Sequence, residues 1–192
     1  MKTFQLKLVS FSSKGFKKQL IISVHEADVL RQFLVDSMRC EVLVINTNVG
    51  LDVYYEHETP NKELIIDAIL ILLAKKKMSV LDFFIHELNS KAELVKKTHI
   101  YFKRLIQHPL LFKNYSKSLC RQLNLHYSDS PNIVQTLFAI WQDELLHLNN
   151  TDMQVYVLRS FLSRLQFTYV QQSCKPELQD LIKSALDVEH RN

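Results

Sequence analysis

The sequence predicts an α+β protein, with a small N-terminal β-hairpin–helix–strand module over residues 1–58 and an all-helical bundle of five or six helices over residues 59–192. Three observations lead there. Apolar and polar residues alternate on both sides of a Ser/Gly break near the N-terminus, which is a hairpin signal. A Ser-x-x-Glu box then opens a helical pattern. Beyond residue 61 apolar residues recur at three-and-four spacing almost to the end, and the chain has only two glycines, Gly15 and Gly50. So few breakers favour long helices.

Phe4, Leu6 and Leu8 alternate with Gln5 and Lys7; after the break that ends in Gly15, Leu20, Ile22 and Val24 alternate with Gln19 and Ser23. These are the two expected hairpin strands, one face apolar and the other carrying Lys7 and Lys17. Ser23 and Glu26 fit a capping box, after which Ala27, Leu30, Phe33 and Leu34 share a helical face that would cover the hairpin. Val42 to Ile45 reads as a short buried strand, Asn46 to Gly50 as a turn, and Leu51 to Tyr55 as a further strand. The loop 56–61, with Pro60, is the expected module boundary.

The remainder is expected to be helical. Lys62 to Lys76 is apolar at Leu64, Ile65, Ala68, Ile69, Leu72 and Leu73. Ser79 is expected to cap a helix running to about Gln107, with Leu81, Phe84, Leu88, Ala92, Val95, Phe102 and Ile106 in register and a break near Asn89 and Ser90. Pro109 starts a helix through Leu125. Ser130 and Pro131 suit an N-cap and first turn, followed by Ile133 to Leu148 with Val134, Leu137, Phe138, Trp141 and Leu145 on one side. Met153 to about Gln171 is another helix, with Val157, Phe161, Leu165 and Thr168 in register, and Glu177 to Val188 the last.

Composition narrows the function. Two glycines 35 positions apart cannot write a GxxxxGK[ST] or GxGxxG phosphate loop. A net charge of +4 and a pI near 8.9 permit an acidic partner, an anionic membrane surface or nucleic acid without requiring any. Cys40, Cys120 and Cys174 are too scattered for a disulfide framework or a zinc ribbon and fit a reducing compartment. The N-terminus shows no secretory leader, and the longest apolar stretch, Leu64 to Ala74, is interrupted by Asp67 and falls short of the roughly 20 residues a bilayer requires. The expected location is cytoplasmic, at most peripheral to the inner membrane.

Candidate chemistry is sparse. Glu144 and His147 have the spacing of a di-iron helix motif, but there is no second copy. His86 and Glu87 open like HExxH, with Ser90 where the second histidine belongs; Asp82 and His86 stand four apart. None of the serines or cysteines sits in a recognisable nucleophile frame. Helix surface and core explain all of these, so no catalytic residue, metal or cofactor is assigned. The basic clusters Lys75, Lys76 and Lys77, Lys96 and Lys97, and Lys103 and Arg104 are the candidate surface for a partner or phosphate groups. Tyr101 and Phe102 beside them fit core spacing better than stacking platforms. Nucleic acid is therefore the less favoured ligand, and anionic headgroups are an equal competitor to it.

Several stretches together resemble a known family. Phe4 to Leu8, Lys14 and Gly15, Leu20 to Val24, Glu26 and Ala27 with Leu30 and Leu34, and then Val42 to Ile45 follow the order of an aromatic-led strand, glycine turn, second strand, helix and strand. Lys75 to Phe84, followed by Glu87 and Leu88, is similar to a basic segment leading into a helix, and His108, Pro109 and Phe112 to a His-Pro-x-x-Phe. This pattern resembles the cytoplasmic N-terminal region of inner-membrane platform proteins of type II secretion and type IV pilus assembly, the GspF/PilC type. Asn89 to Leu94 and Ser118 to Arg121 depart from it, replacing an Ala-Gly and a Gly-Glu. The resemblance implies a non-enzymatic bacterial scaffold or adaptor that contacts an assembly ATPase or inner-membrane subunits. It would bind through helix faces and through an open strand edge of the hairpin. The alternative is a small helical nucleic-acid-binding or regulatory protein.

Overall fold

In the computed structural model, residues 5–14, 20–74, 76–148 and 152–173 are described. Phe4, residues 15–19, Lys75, Cys174 and the helix expected from Glu177 to Val188 lie outside them. The elements run β1 (Leu6–Ser13), α1 (Val24–Met38), β2 (Val42–Asn46), β3 (Leu51–Glu56), α2 (Lys62–Ala74), a 3-10 turn (Val80–Asp82), β4 (Phe83–Leu88), α3 (Lys91–Gln107), α4 (Pro109–His126), α5 (Pro131–Leu146) and α6 (Met153–Ser173). The α+β class is as expected, with a helical C-terminal part.

The four strands form one antiparallel sheet in the order β2-β3-β1-β4. Consequently β1-α1-β2 encloses β3, and β3-α2-β4 encloses β1. Two interleaved split β-α-β units of this kind make the ferredoxin-like arrangement.

Parity along each strand decides what lies on each face. Val9 and Phe11 of β1, Val42 and Val44 of β2, Leu51, Val53 and Tyr55 of β3, and Phe83 of β4 meet Ala27, Leu30, Leu34 and Met38 of α1 and Ile65, Ala68, Ile69 and Leu73 of α2. The residues between them, Leu6, Leu8, Leu43, Ile45 and Tyr54, meet the buried sides of α3, α4, α5 and α6. The sheet is thus the middle layer, and α2 packs with α1 across it from the later helices. Leu8, Val9, Phe11, Leu43, Leu51 and Val53 are fully buried. Each contributes roughly 1.5–3 kcal/mol relative to exposure.

Two expected elements differ. Leu20 to Val24 is not a strand: Ser23 caps α1, its hydroxyl accepting from Glu26 N at 3.2 Å while Glu26 accepts from Ser23 N at 2.6 Å. The helix therefore starts at Val24, and Ile21 and Ile22 are both buried rather than alternating. Phe33 is half exposed; the buried stripe of α1 ends in Met38 instead. The helix expected from Ser79 is a single 3-10 turn followed by β4, and the helix proper begins after Ser90, which forms its own capping box with Glu93. The sheet therefore takes its fourth strand from beyond residue 58. Hydrogen bonds from the Ser23 backbone and, for Glu93, from Asn89 and Ser90 hold both capping carboxyls below the usual range. The boxes are intact above the ordinary carboxylate range and loosen as pH falls through those lowered values.

The β2–β3 hairpin turns on Asn48 and Val49, closed by Thr47 N to Gly50 O at 2.8 Å and Gly50 N to Thr47 O at 3.2 Å. A side chain on Gly50 would place its Cβ 2.4 Å from the Phe11 carbonyl oxygen of β1. Backbone must shift to admit it. Gly50→Ala is expected to lower unfolding free energy by about 1–3 kcal/mol in urea titration without changing the helical circular-dichroism signal.

Candidate functional site

A sheet covered on both faces presents itself to other chains only at its edges and through the outer faces of its helices. The two edges are β2 and β4, and they are treated differently.

The β2 edge is closed by the α4–α5 elbow. Gln122 lies on the buried stripe of α4 with Tyr115, Leu119, Leu123 and His126. Its amide does what a neighbouring strand would do. Oε1 accepts from Asn46 N at 2.6 Å, and Nε2 donates to Asn46 O at 2.6 Å and to Ser118 O at 3.1 Å. At the other end of the strand Ser130 Oγ donates to Val42 O at 2.9 Å. Glu41 accepts from Asn132 N at 3.0 Å and Ile133 N at 3.3 Å, so the acid preceding β2 caps α5. His126 contacts Asp28 and Asp129, each at 3.2 Å, and Arg31 pairs with Asp129 at 3.2 Å. These links bind the elbow to α1 as well as to the sheet.

The β4 edge has no such cover among the described residues. Lys14 N donates to Asp82 O, and the register continues as Ser12–Phe84, Ser10–His86 and Leu8–Leu88. Antiparallel ladders alternate, so the backbone groups of Phe83, Ile85 and Glu87 point away from β1. Phe83 N donates to Val80 O. Apolar residues border this edge: Leu81 is 80% exposed, Phe84 54% and Val80 44%. Lys14 lies over the Phe84 ring, 5.3 Å from its centroid. An open strand edge was expected of the hairpin in the N-terminal module; it is found instead on β4.

The basic clusters separate. Lys76 and Lys77 stand at the end of α2, on the α1 side of the sheet; Lys76 donates to Ile21 O at 3.1 Å and pairs with Glu26 at 3.2 Å, and Lys77 is exposed in the left-handed region with φ 54°. Lys97 is turned inward to Asp52 at 2.9 Å, with its ammonium 5.0 Å from the Tyr101 ring. Lys96, Lys103 and Arg104 are exposed on α3, and Ile100 between them is 56% exposed. Spacings of three, four and seven put these four residues on one face. The structure therefore assembles Lys96, Lys103 and Arg104 and leaves the other cations elsewhere.

The residues weighed for chemistry do not converge. Buried Glu144 contacts His99 at 2.9 Å, joining α5 to α3, while His147 is exposed at the end of α5. His86 and Glu87 are on β4, where Glu87 lies 3.7 Å from Lys62. Asp82 and His86 fall in a 3-10 turn and a strand, not on one helix face. Among the described residues no group of three or more His, Cys, Asp or Glu could hold a metal ion. Burial pushes the Cys40 thiol above its ordinary value, away from the reactive thiolate. A cavity lined by Leu8, Tyr54, Lys97, Tyr101, Tyr115 and Trp141 has about 10 Å³ of room, enough for one water. Burial keeps all three phenols there neutral, their pKa values raised, with Asp52 adding to the effect.

Comparison with protein-family models, with curated proteins and with solved structures finds no match. Among the described residues no helix is long and apolar enough to cross a membrane.

Sequence reasoning missed Gln122 and the β4 edge, and it placed Ser130 as the cap of α5 without its bond to β2. A polar amide inside the apolar stripe of α4 was the available signal for Gln122. Gln122→Leu leaves both Asn46 backbone groups buried without partners. It is expected to cost roughly 2 kcal/mol or more in urea unfolding. Native-state amide exchange should show the Asn46 amide losing protection.

Proposed function

We propose that this chain is a non-enzymatic scaffold or adaptor that binds an acidic protein partner through the outer face of α3. The observation that carries the reading is the exposed stripe of Lys96, Lys103 and Arg104 around Ile100. It combines a positive field with an apolar contact at its centre, which suits a partner carrying carboxylates around an apolar residue. The interior supports the same reading. The ion pair Lys97–Asp52 ties α3 to the sheet and His99–Glu144 ties α3 to α5, and the small cavity that Lys97 lines has room for one water only. The sequence resemblance supplies the setting: a bacterial secretion or type IV pilus machine, with the partner an assembly ATPase or an inner-membrane subunit at the cytoplasmic face.

The alternative, nucleic-acid binding, has less support. Sheets of this topology that read RNA stack bases on an open sheet face. Here that face is occupied by α3, α4 and α5 through Leu6, Leu8, Leu43 and Tyr54. Only the α3 stripe would remain, as a phosphate contact.

A tagged chain, incubated with native bacterial membranes and captured at low salt, is expected to recover secretion or pilus components. The triple charge reversal Lys96→Glu, Lys103→Glu, Arg104→Glu should abolish that capture while leaving thermal unfolding unchanged. Recovery of no such component would overturn the setting. Salt-sensitive binding of a DNA or RNA probe, lost in the same variant, would favour the alternative.

A further inference from the structure

The geometry points to a second copy of this chain as the occupant of the β4 edge. Two β4 strands pair antiparallel about a two-fold axis at Ile85, merging two four-stranded sheets into one continuous sheet. The surface is distinct from the α3 stripe and does not depend on it.

The first argument is the strand itself. Edge strands are commonly protected by lysine, proline, a bulge or a covering element. β4 reads Phe83, Phe84, Ile85, His86, Glu87, Leu88, with no lysine or proline, and its six residues pair with β1 without a bulge. Protection has been spent on the opposite edge, where Gln122 and Ser130 cap β2.

The second is self-complementarity. With Ile85 on the axis, the N–H and C=O of Ile85 exchange hydrogen bonds with the partner's Ile85, and Glu87 N–H reaches the partner's Phe83 carbonyl. The Phe83 N–H already donates to Val80 O, so the new ladder ends where its donors end. On the face that carries Phe84 and His86, each Phe84 lies opposite the partner's His86. Pairing there covers a ring that is 54% exposed in the single chain.

The third is charge. Lys14 lies over Phe84 at the start of the strand, and exposed Lys77 precedes it in the turn; Glu87 is at the far end, in an ion pair with Lys62 at 3.7 Å. Glu87 shares the α1/α2 face of the sheet with Lys77, and Lys14 is on the opposite face with Phe84, so antiparallel pairing sets each Glu87 toward the other strand's Lys77. Parallel pairing would set lysine beside lysine. Finally, the assembly closes. With both β2 edges capped, joining the two open edges leaves none for a third copy.

Sedimentation equilibrium of the full chain tests this. A monomer–dimer equilibrium is expected as concentration rises to about 500 μM, and Phe84→Lys should weaken it roughly tenfold or more, as loss of one central interface aromatic does. Phe33→Lys, at an exposed site on α1, should leave it unchanged. Amide exchange gives a second reading that needs no variant. Ile85 and Glu87 amides should slow with rising concentration, while Phe84 and His86 amides, bonded to β1, should not. A wild-type chain that stays monomeric at that concentration overturns the proposal. So does a dimer unaffected by Phe84→Lys, or one lacking protection at Ile85 and Glu87.

Discussion

Leu8 and Val9 are adjacent in β1, point to opposite faces of the sheet, and are both fully buried. The rest of the molecule depends on that constraint. An antiparallel sheet commonly leaves one face to water and reads as alternating apolar and polar residues. This one has apolar side chains on both faces along β1, β2 and β3, so both faces need cover. Helices α1 and α2 come with the interleaved β-α-β units and cover one face. The other is covered by chain that follows β4: α3 against β1, α4 against β2, α5 against β2 and β3, with α6 packed behind them on α3, α4 and α5.

Covering both faces has a cost at the rim. The elbow between α4 and α5 passes the β2 edge, and a buried strand edge must have its backbone groups paired. Gln122 provides a donor and an acceptor in the geometry of a strand, and Ser130 provides a donor. Glu41, at the start of β2, returns the favour by capping α5. Polar residues in this region are thus accounted for by the demands of the fold. The same holds for Lys97 and Asp52, side chains 15% and 9% exposed, which meet across the α3–sheet interface. A lysine counted in sequence as part of a basic patch is here a cross-layer tie. The outer face of α3 and the outer side of β4 are among the described surfaces that the fold leaves unused.

Much of this was legible in the residues. Capping signals were the most dependable: Ser23 with Glu26 starts α1 through local hydrogen bonds, and Pro131 starts α5 as expected, although the Ser130 hydroxyl is turned to Val42 O and Glu41 caps that helix instead. The helical stripes of α2 and α5 were equally clear. Strands were harder, for one physical reason. A strand buried on both faces loses its period-2 pattern, so Leu20, Ile21 and Ile22, a connection in which only the two isoleucines are buried, look as strand-like as Val42 to Ile45. β4 failed in the opposite direction. Phe84 and Leu88 are four apart and read as a helical pair, but the Ser90 cap stops that helix from extending back, and β1 provides a partner that no local pattern reveals. The split of the basic clusters was illegible for the same reason. Lys76 and Lys96 are 20 positions apart in sequence, yet the sheet stands between their helices.

The contrast between the two edges is more informative than either alone. An open strand edge by itself is ambiguous, since many small domains have one. Here the chain devotes a buried glutamine, a buried serine and a helix elbow to closing β2, while β4 retains Phe84 in solvent and has no lysine, proline or bulge, its one charged residue being Glu87 at the far end. Leaving apolar surface and free backbone groups together on one strand is unfavourable in an isolated molecule and favours pairing with another. Because the opposite edge is capped, any strand that joins β4 extends the sheet once and then stops. A finite assembly rather than an open-ended one follows from where Gln122 and Ser130 sit, on the far side of the sheet from the surface they would limit.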